Sequence, residues 1–130
     1  MVEILNPPNV LACLTQDAMK ANLDGVPIMK LGFYTGSSAT YQEVTSWTIS
    51  TGKKGVLGEV SFCSDLPDTA RFKVTVGAST VLDNIRLTQD VTLPFPKGAT
   101  VSTGTKLTVY VKSDGATTIK ANASITGKEV

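Results

Sequence analysis

The stretch that decides the fold is Arg71-Phe72-Lys73-Val74-Thr75-Val76, in which apolar and polar side chains alternate without a break. Successive side chains of a β-strand point to opposite faces, so this alternation predicts a strand with one buried and one solvated face. The same pattern recurs over residues 106–112 and 118–126. The positions predicted to face the core are Phe72, Val74, Val76, Leu107, Val109, Val111, Ile119, Ala121, Ala123 and Ile125.

From residue 40 onward the chain reads as about seven short strands separated by turn signals roughly every 8–12 residues. A first strand is predicted to place Tyr41, Thr45, Trp47 and Ile49 on one face. Asp114-Gly115, between the last two alternating runs, is a strong hairpin signal and predicts that these two strands are antiparallel neighbours. The pattern predicts an all-β fold, an antiparallel two-sheet β-sandwich of jelly-roll-like form, over residues 40–130.

Residues 1–39 lack a sustained period and are predicted to form an irregular N-terminal arm. Its only helical candidate is Thr15 to Leu23, a helix of at most about two turns. Thr15 is its predicted N-cap, and Gly25 can end it. The apolar residues of the arm need a surface to cover, and two alternatives remain open: the sandwich of the same subunit or that of a neighbour. The candidate partner-contact residues are Val2, Ile4, Leu5, Pro7, Pro8, Val10 and Leu11.

The most restrictive feature for catalysis is the absence of histidine from all 130 residues. Histidine is the usual general base and the commonest metal ligand, so Ser-His-Asp, Cys-His and zinc-histidine mechanisms are excluded. No glycine-rich phosphate-binding motif precedes a helix. Asp65 and Asp68 form the closest carboxylate pair, but aspartates beside serine and proline are typical of turns. We therefore expect a protein that is not an enzyme and has no cofactor or metal.

Charge and hydropathy exclude further classes of partner. Lys+Arg total 12 against 11 Asp+Glu, and Lys53-Lys54, the only adjacent basic pair, has no interleaved aromatic residues. Nucleic-acid binding is therefore not expected. No run approaches the roughly 20 apolar residues that span a bilayer, and the N-terminus lacks a secretion signal. Cys13 and Cys63 form no metal or redox motif and are predicted to be reduced, buried thiols, which fits synthesis in a cytoplasm.

A carbohydrate- or receptor-binding module is the alternative class, and it requires exposed aromatic side chains on one face. Phe62, Phe72 and Phe95 lie on faces predicted to be buried. The remaining candidates are Phe33, Tyr34, Tyr41, Trp47 and Tyr110, although a single tryptophan on an alternating strand is usually a core residue.

The chain also resembles a known family in the order of Gly58-Glu59-Val60-Ser61-Phe62, residues 70–77, residues 107–115 and Ala123-Ser124-Ile125-Thr126-Gly127. In this respect it is similar to small β-sandwich proteins that decorate or cement the heads of tailed phages, and to related spike domains. The resemblance implies a structural virion protein on the capsid surface, a homo-oligomer, often a trimer, bound to the major capsid protein or another virion protein. The N-terminal arm would then be the anchor.

Overall fold

The structure, a computed structural model, describes residues 25–87 and 90–130, which form nine β-strands. The strands are β1 (Val26–Gly36), β2 (Gln42–Thr48), β3 (Gly55–Ser64), β4 (Arg71–Val76), β5 (Ser79–Arg86), β6 (Val91–Pro94), β7 (Thr100–Val101), β8 (Lys106–Lys112) and β9 (Ile119–Glu129). Sheet A has the order β1-β9-β3-β6, with the short β7 also paired to β3, and sheet B has the order β2-β8-β4-β5. All pairings are antiparallel. With β7 set aside, this is the strand order of an eight-stranded jelly roll, so the predicted fold class is confirmed.

The core lies between the two sheets and is built from the alternating positions. Phe62 of sheet A stacks on Phe72 of sheet B, with ring centroids 4.7 Å apart. Around this pair, Val74 and Val109 from sheet B and Val60 from sheet A are fully buried. The inward faces predicted for β4, β8 and β9 are confirmed, with Val76 only half-buried.

Residues 26–36 require a correction to the predicted arm. They form β1, which pairs with β9 along its whole length, from Val26 opposite Glu129 to Gly36 opposite Ile119. The strand was hidden in the sequence because its most exposed side chains are apolar, while the row that includes Ile28 and Tyr34, which pack against the core, also contains the exposed Lys30. An arm over residues 1–39 is therefore wrong for this segment. Residues 1–24, with the predicted helix and Cys13, lie outside the described residues.

Strands β8 and β9 are not neighbours, contrary to the hairpin prediction. β8 lies between β2 and β4 in sheet B, and β9 lies between β1 and β3 in sheet A. The Asp114 carboxylate accepts hydrogen bonds from the backbone N–H groups of Ala116 and Thr117 and from the Thr117 hydroxyl. These bonds close a local turn that carries the chain from one sheet to the other. The hairpin prediction failed because Asp-Gly specifies a turn but not the sheet that the next strand joins.

The turn at Asp114 yields a pH prediction. Hydrogen bonds from Thr117 and Ala116 lower the pKa of Asp114 from 3.8 to about 2. Because the folded-state pKa lies below the ordinary value, the ionised carboxylate contributes stability that is present above pH 3.8 and is lost as the pH falls towards 2. We expect the free energy of unfolding in urea to fall less between pH 5 and 2 in Asp114→Asn than in the wild type, because the asparagine amide does not titrate. An Asp114 carboxyl that titrates near 3.8 by NMR would contradict this turn.

The predicted shared face of β2 also changes, because a β-bulge lies between Glu43 and Thr45. A bulge adds one residue and reverses which side chains face the core beyond it. Thr45 and Trp47 are buried, whereas Tyr41, on the other side of the bulge, lies beside Tyr110 and two lysines on the outer face of sheet B. The period-two reading was therefore correct from Thr45 onward and wrong for Tyr41.

Candidate interaction surfaces

The outer face of β1 carries three large apolar side chains that project into solvent. Met29, Leu31 and Phe33 are 67%, 71% and 80% exposed. They alternate with Lys30 and Gly32, so they share one face of the strand and form a continuous row, here called the β1 stripe. Single exposed apolar residues are ordinary, but a contiguous apolar patch commonly marks a protein interaction site.

Small polar side chains continue the same face beyond the β1 stripe. Leu31 lies opposite Ser124 of β9, and Ser124 lies opposite Ser61 of β3. A shallow depression of about 270 Å³ lies over this part of sheet A, lined in part by Ser61, Thr92, Asn122 and Ser124. The outer face of sheet A thus has an apolar ridge at one edge and, beside it, a shallow trough that is lined only in part by small polar side chains.

Cys63 also lines the trough, which corrects the expectation of a buried thiol. It is a free, half-buried cysteine and lies opposite Asn122 of β9. Its neighbour Phe62 points into the core, so the alternation of β3 places Cys63 on the outer face. The apolar sequence around it was therefore a poor guide to its burial.

The predicted partner-contact residues, Val2 through Leu11, lie outside the described residues. From the sequence, the residues of the β1 stripe were predicted only to be part of the N-terminal arm, whose apolar side chains need a surface to cover. The available signal was the spacing of Met29, Leu31 and Phe33, every second residue, which is the period of a strand.

Asp65 and Asp68, the closest carboxylate pair in the sequence, make separate contacts. Asp65 accepts a hydrogen bond from the backbone N–H of Lys120 at 2.8 Å. Asp68 forms an ion pair with Arg86, whose guanidinium lowers the pKa of that carboxyl. Within residues 25–87 and 90–130, no three metal-ligating side chains are grouped where they would hold an ion. Both aspartates lie in the loop between β3 and β4, but these contacts reach β9 and β5 and do not close a local turn.

A second surface, on the outer face of sheet B, combines aromatic rings with positive charge. Tyr41 and Tyr110 meet edge to face, with ring centroids 6.3 Å apart. The ammonium group of Lys112 lies 4.7 Å from the centroid of Tyr41, and that of Lys73 lies 5.3 and 5.6 Å from the two rings. We call these four residues the tyrosine–lysine cluster.

The tyrosine–lysine cluster is hydrogen-bonded to the middle of β5. The Tyr41 hydroxyl donates to Asp83 and accepts from the backbone N–H of Asn84, and partial burial of the ring is the main cause of a raised Tyr41 pKa. Trp47, in contrast, is only 1% exposed and is unavailable as a stacking platform. Of the aromatic candidates, Phe33 is the most exposed, while Tyr34, Tyr41 and Tyr110 are half-buried.

Comparisons with protein-family models, with curated proteins and with solved structures find no match to this chain. In the part of the chain that the structure describes, no helix has the length and apolar character needed to cross a membrane.

Proposed function

We propose that this protein is a non-enzymatic structural component of a virus particle, a decoration or cement protein that binds the capsid shell as a homo-oligomer. The observation that carries the proposal is the β1 stripe, whose three side chains are 67–80% exposed on an otherwise well-packed jelly roll. An apolar row on a sheet edge is a template for association with another protein chain. The virion role itself is taken from the resemblance of the strands to phage decoration proteins.

The proposal assigns different contacts to two parts of the protein. The β1 stripe joins copies of the protein, and the N-terminal residues, Val2 through Leu11 among them, anchor the oligomer on the major capsid protein or another virion protein. Each contact need only be modest, because a shell presents the same site many times and a multivalent oligomer gains avidity from simultaneous engagement. In this proposal the protein is synthesised in the host cytoplasm and then binds to the capsid surface.

The test uses particles from the native source, separated on a density gradient. We expect the protein to be recovered with the shell at a fixed ratio to the capsid subunit, and purified protein to rebind to shells from which it has been stripped. Removal of residues 1–24 is expected to abolish rebinding. Shells that neither carry nor rebind the full chain would refute the virion role.

Replacing the β1 stripe provides the second arm of this test. A variant with Met29→Ser, Leu31→Ser and Phe33→Ser is expected to be monomeric and to bind shells at least tenfold more weakly, since it loses avidity. Val81→Ser is the matched control because Val81, 41% exposed on β5, is an isolated apolar residue of the other sheet. Equal binding by the triple variant and the wild type would show that the stripe has no part in attachment.

A carbohydrate- or receptor-binding module is the second candidate, and the tyrosine–lysine cluster favours it. Aromatic rings beside ammonium groups suit a sugar ring that carries an acidic substituent. A glycan array would test this reading with Lys73→Ala and Lys112→Ala as variants. Specific binding of an acidic glycan that both variants lose would place this function ahead of the structural one.

A further inference from the structure

β1 is unusually long for a strand at the edge of a sheet. β1 has 11 residues and, among the described strands, pairs only with β9. Typical strands have about 5–6 residues, and natural edges are kept short or are protected by charge, proline or bulges. Here the protection is limited to Pro27 near the start and Lys30 in the middle. The edge therefore offers backbone hydrogen-bonding groups alongside the apolar β1 stripe.

We propose that a second copy of this chain occupies the edge, with the two β1 strands antiparallel and a two-fold axis passing through Leu31 perpendicular to sheet A. The inference deepens the proposed function, on whose protein-binding role it rests. Sheet A then continues across the dimer as β6-β3-β9-β1 followed by the partner's strands in reverse order. The two β1 stripes lie side by side on one surface. This contact is two-fold, unlike the trimer that the family resemblance implies.

The register follows from the spacing of the stripe. An antiparallel pair centred on Leu31 places Met29 opposite the partner's Phe33 and Leu31 opposite the partner's Leu31. All three apolar side chains thereby meet apolar side chains, and apolar cross-strand neighbours stabilise a sheet. A centre at Gly32 leaves Met29 opposite the partner's Thr35, and a centre at Met29 leaves Leu31 opposite the partner's Pro27. Of these centres, only Leu31 pairs the complete stripe.

Lys30 supports the same register through its charge. With the axis at Leu31, each Lys30 lies opposite the partner's Gly32, which has no side chain. A pair centred on Lys30 would set two ammonium groups directly opposite each other, and like charges in that position destabilise a sheet. Gly32 is itself required by the fold, because a Cβ there would collide with the backbone of Val44 in β2. The sandwich therefore requires glycine at position 32, and in the two-fold contact no side chain at that position opposes the partner's Lys30.

The occupant is inferred to be a second copy because the stripe is self-complementary. An isologous contact requires that one patch match itself after a two-fold rotation. The β1 stripe meets that requirement because Met29 and Phe33 flank the central Leu31. An unrelated partner, or residues 1–24, would impose no such symmetry. The near-balance of 12 basic and 11 acidic residues leaves little net repulsion between copies.

The experiment traps the contact in the full chain with single cysteines, in a background where Cys13→Ser and Cys63→Ser remove the native thiols. Directly opposite Cβ atoms lie about 4.5–5.5 Å apart, so Leu31→Cys is expected to cross-link to itself with a short bifunctional thiol reagent. Met29→Cys alone is expected to remain uncross-linked, because its partner copy lies four residues along the strand, about 13 Å away. A mixture of Met29→Cys with Phe33→Cys is expected to cross-link.

The mass in solution completes the test. The wild type is expected at twice the monomer mass of 13.7 kDa, and Leu31→Asp at the monomer mass with an unchanged circular dichroism spectrum. Cross-linking of Met29→Cys to itself, or a monomeric wild type, would overturn the inference. If deletion of residues 1–24 converts a monomeric wild type into a dimer, those residues occupy the edge instead. Shell binding by a monomeric wild type would leave the virion role standing, while this contact and the homo-oligomer of the proposed function both fail.

Discussion

Replacing Trp47 with alanine is expected to lower the free energy of unfolding by about 3–5 kcal/mol, the usual cost of removing a buried aromatic side chain. Trp47 is 1% exposed and its ring fills the space beside Gly127, where even a Cβ would come within 2.8 Å of it. Its indole N–H donates to the Glu129 carboxylate at 2.9 Å. Urea or thermal unfolding measures the loss, and a change below about 1 kcal/mol would contradict a core role for this residue.

Trp47→Phe separates the ring from its hydrogen bond. Phenylalanine retains most of the apolar volume, so we expect a smaller loss than with alanine. The carboxylate of Glu129 then retains the backbone N–H of Ser50, at 3.1 Å, but loses the indole N–H. The variant therefore tests the polar contact with the packing nearly conserved.

The same pair predicts a pH dependence. The hydrogen bond from Trp47, followed by those from Ser50, lowers the pKa of Glu129 from its ordinary 4.5. The ionised carboxylate thus contributes stability above pH 4.5 that is lost as the pH falls through the lower folded-state value. In Trp47→Phe the folded-state pKa moves back towards 4.5, so the stability gap between variant and wild type should narrow in acid. A gap that does not change with pH would argue against this hydrogen bond.

Removal of residues 1–36 is expected to abolish the cooperative unfolding transition, because it deletes β1. This strand covers the whole length of β9, and its Ile28 and Tyr34 pack against the core. Deleting it exposes an edge of β9, the strand that carries the fully buried Ile119 and Ile125. A domain of this size has only about 5–15 kcal/mol of stability, so the loss of the whole β1–β9 pairing is sufficient to unfold it.

Removal of residues 1–24 is the matched control, and it is expected to leave the sandwich folded, since residues 25–130 contain the core described above. Circular dichroism and urea unfolding of both truncated chains distinguish the two outcomes. A chain of residues 37–130 that unfolds cooperatively with a wild-type midpoint would show that β1 is dispensable. Unfolding of residues 25–130 would show that the first 24 residues belong to the core.

Local patterns in the sequence were sufficient for much of the fold. The alternation in β4, β8 and β9 identified their inward faces, and Gly77, with a φ of +60°, closes the β4–β5 hairpin directly after the alternating stretch. These features depend on neighbours in the chain, whose side chains alternate whatever the topology. For the candidate site, the sequence supplied the apolar residues of the β1 stripe but not their arrangement.

The sequence by itself determined the all-β fold class, the composition of the core and the exclusion of mechanisms that need histidine, because each is a property of residue types and their spacing. Only the tertiary structure decided which sheet receives each strand, the reversal of faces at the β2 bulge and the outward direction of the β1 stripe. These depend on contacts between residues distant in sequence, such as Gly32 against Val44 and β1 against β9. Period two specifies that side chains alternate, but the packing of the second sheet decides which set is buried.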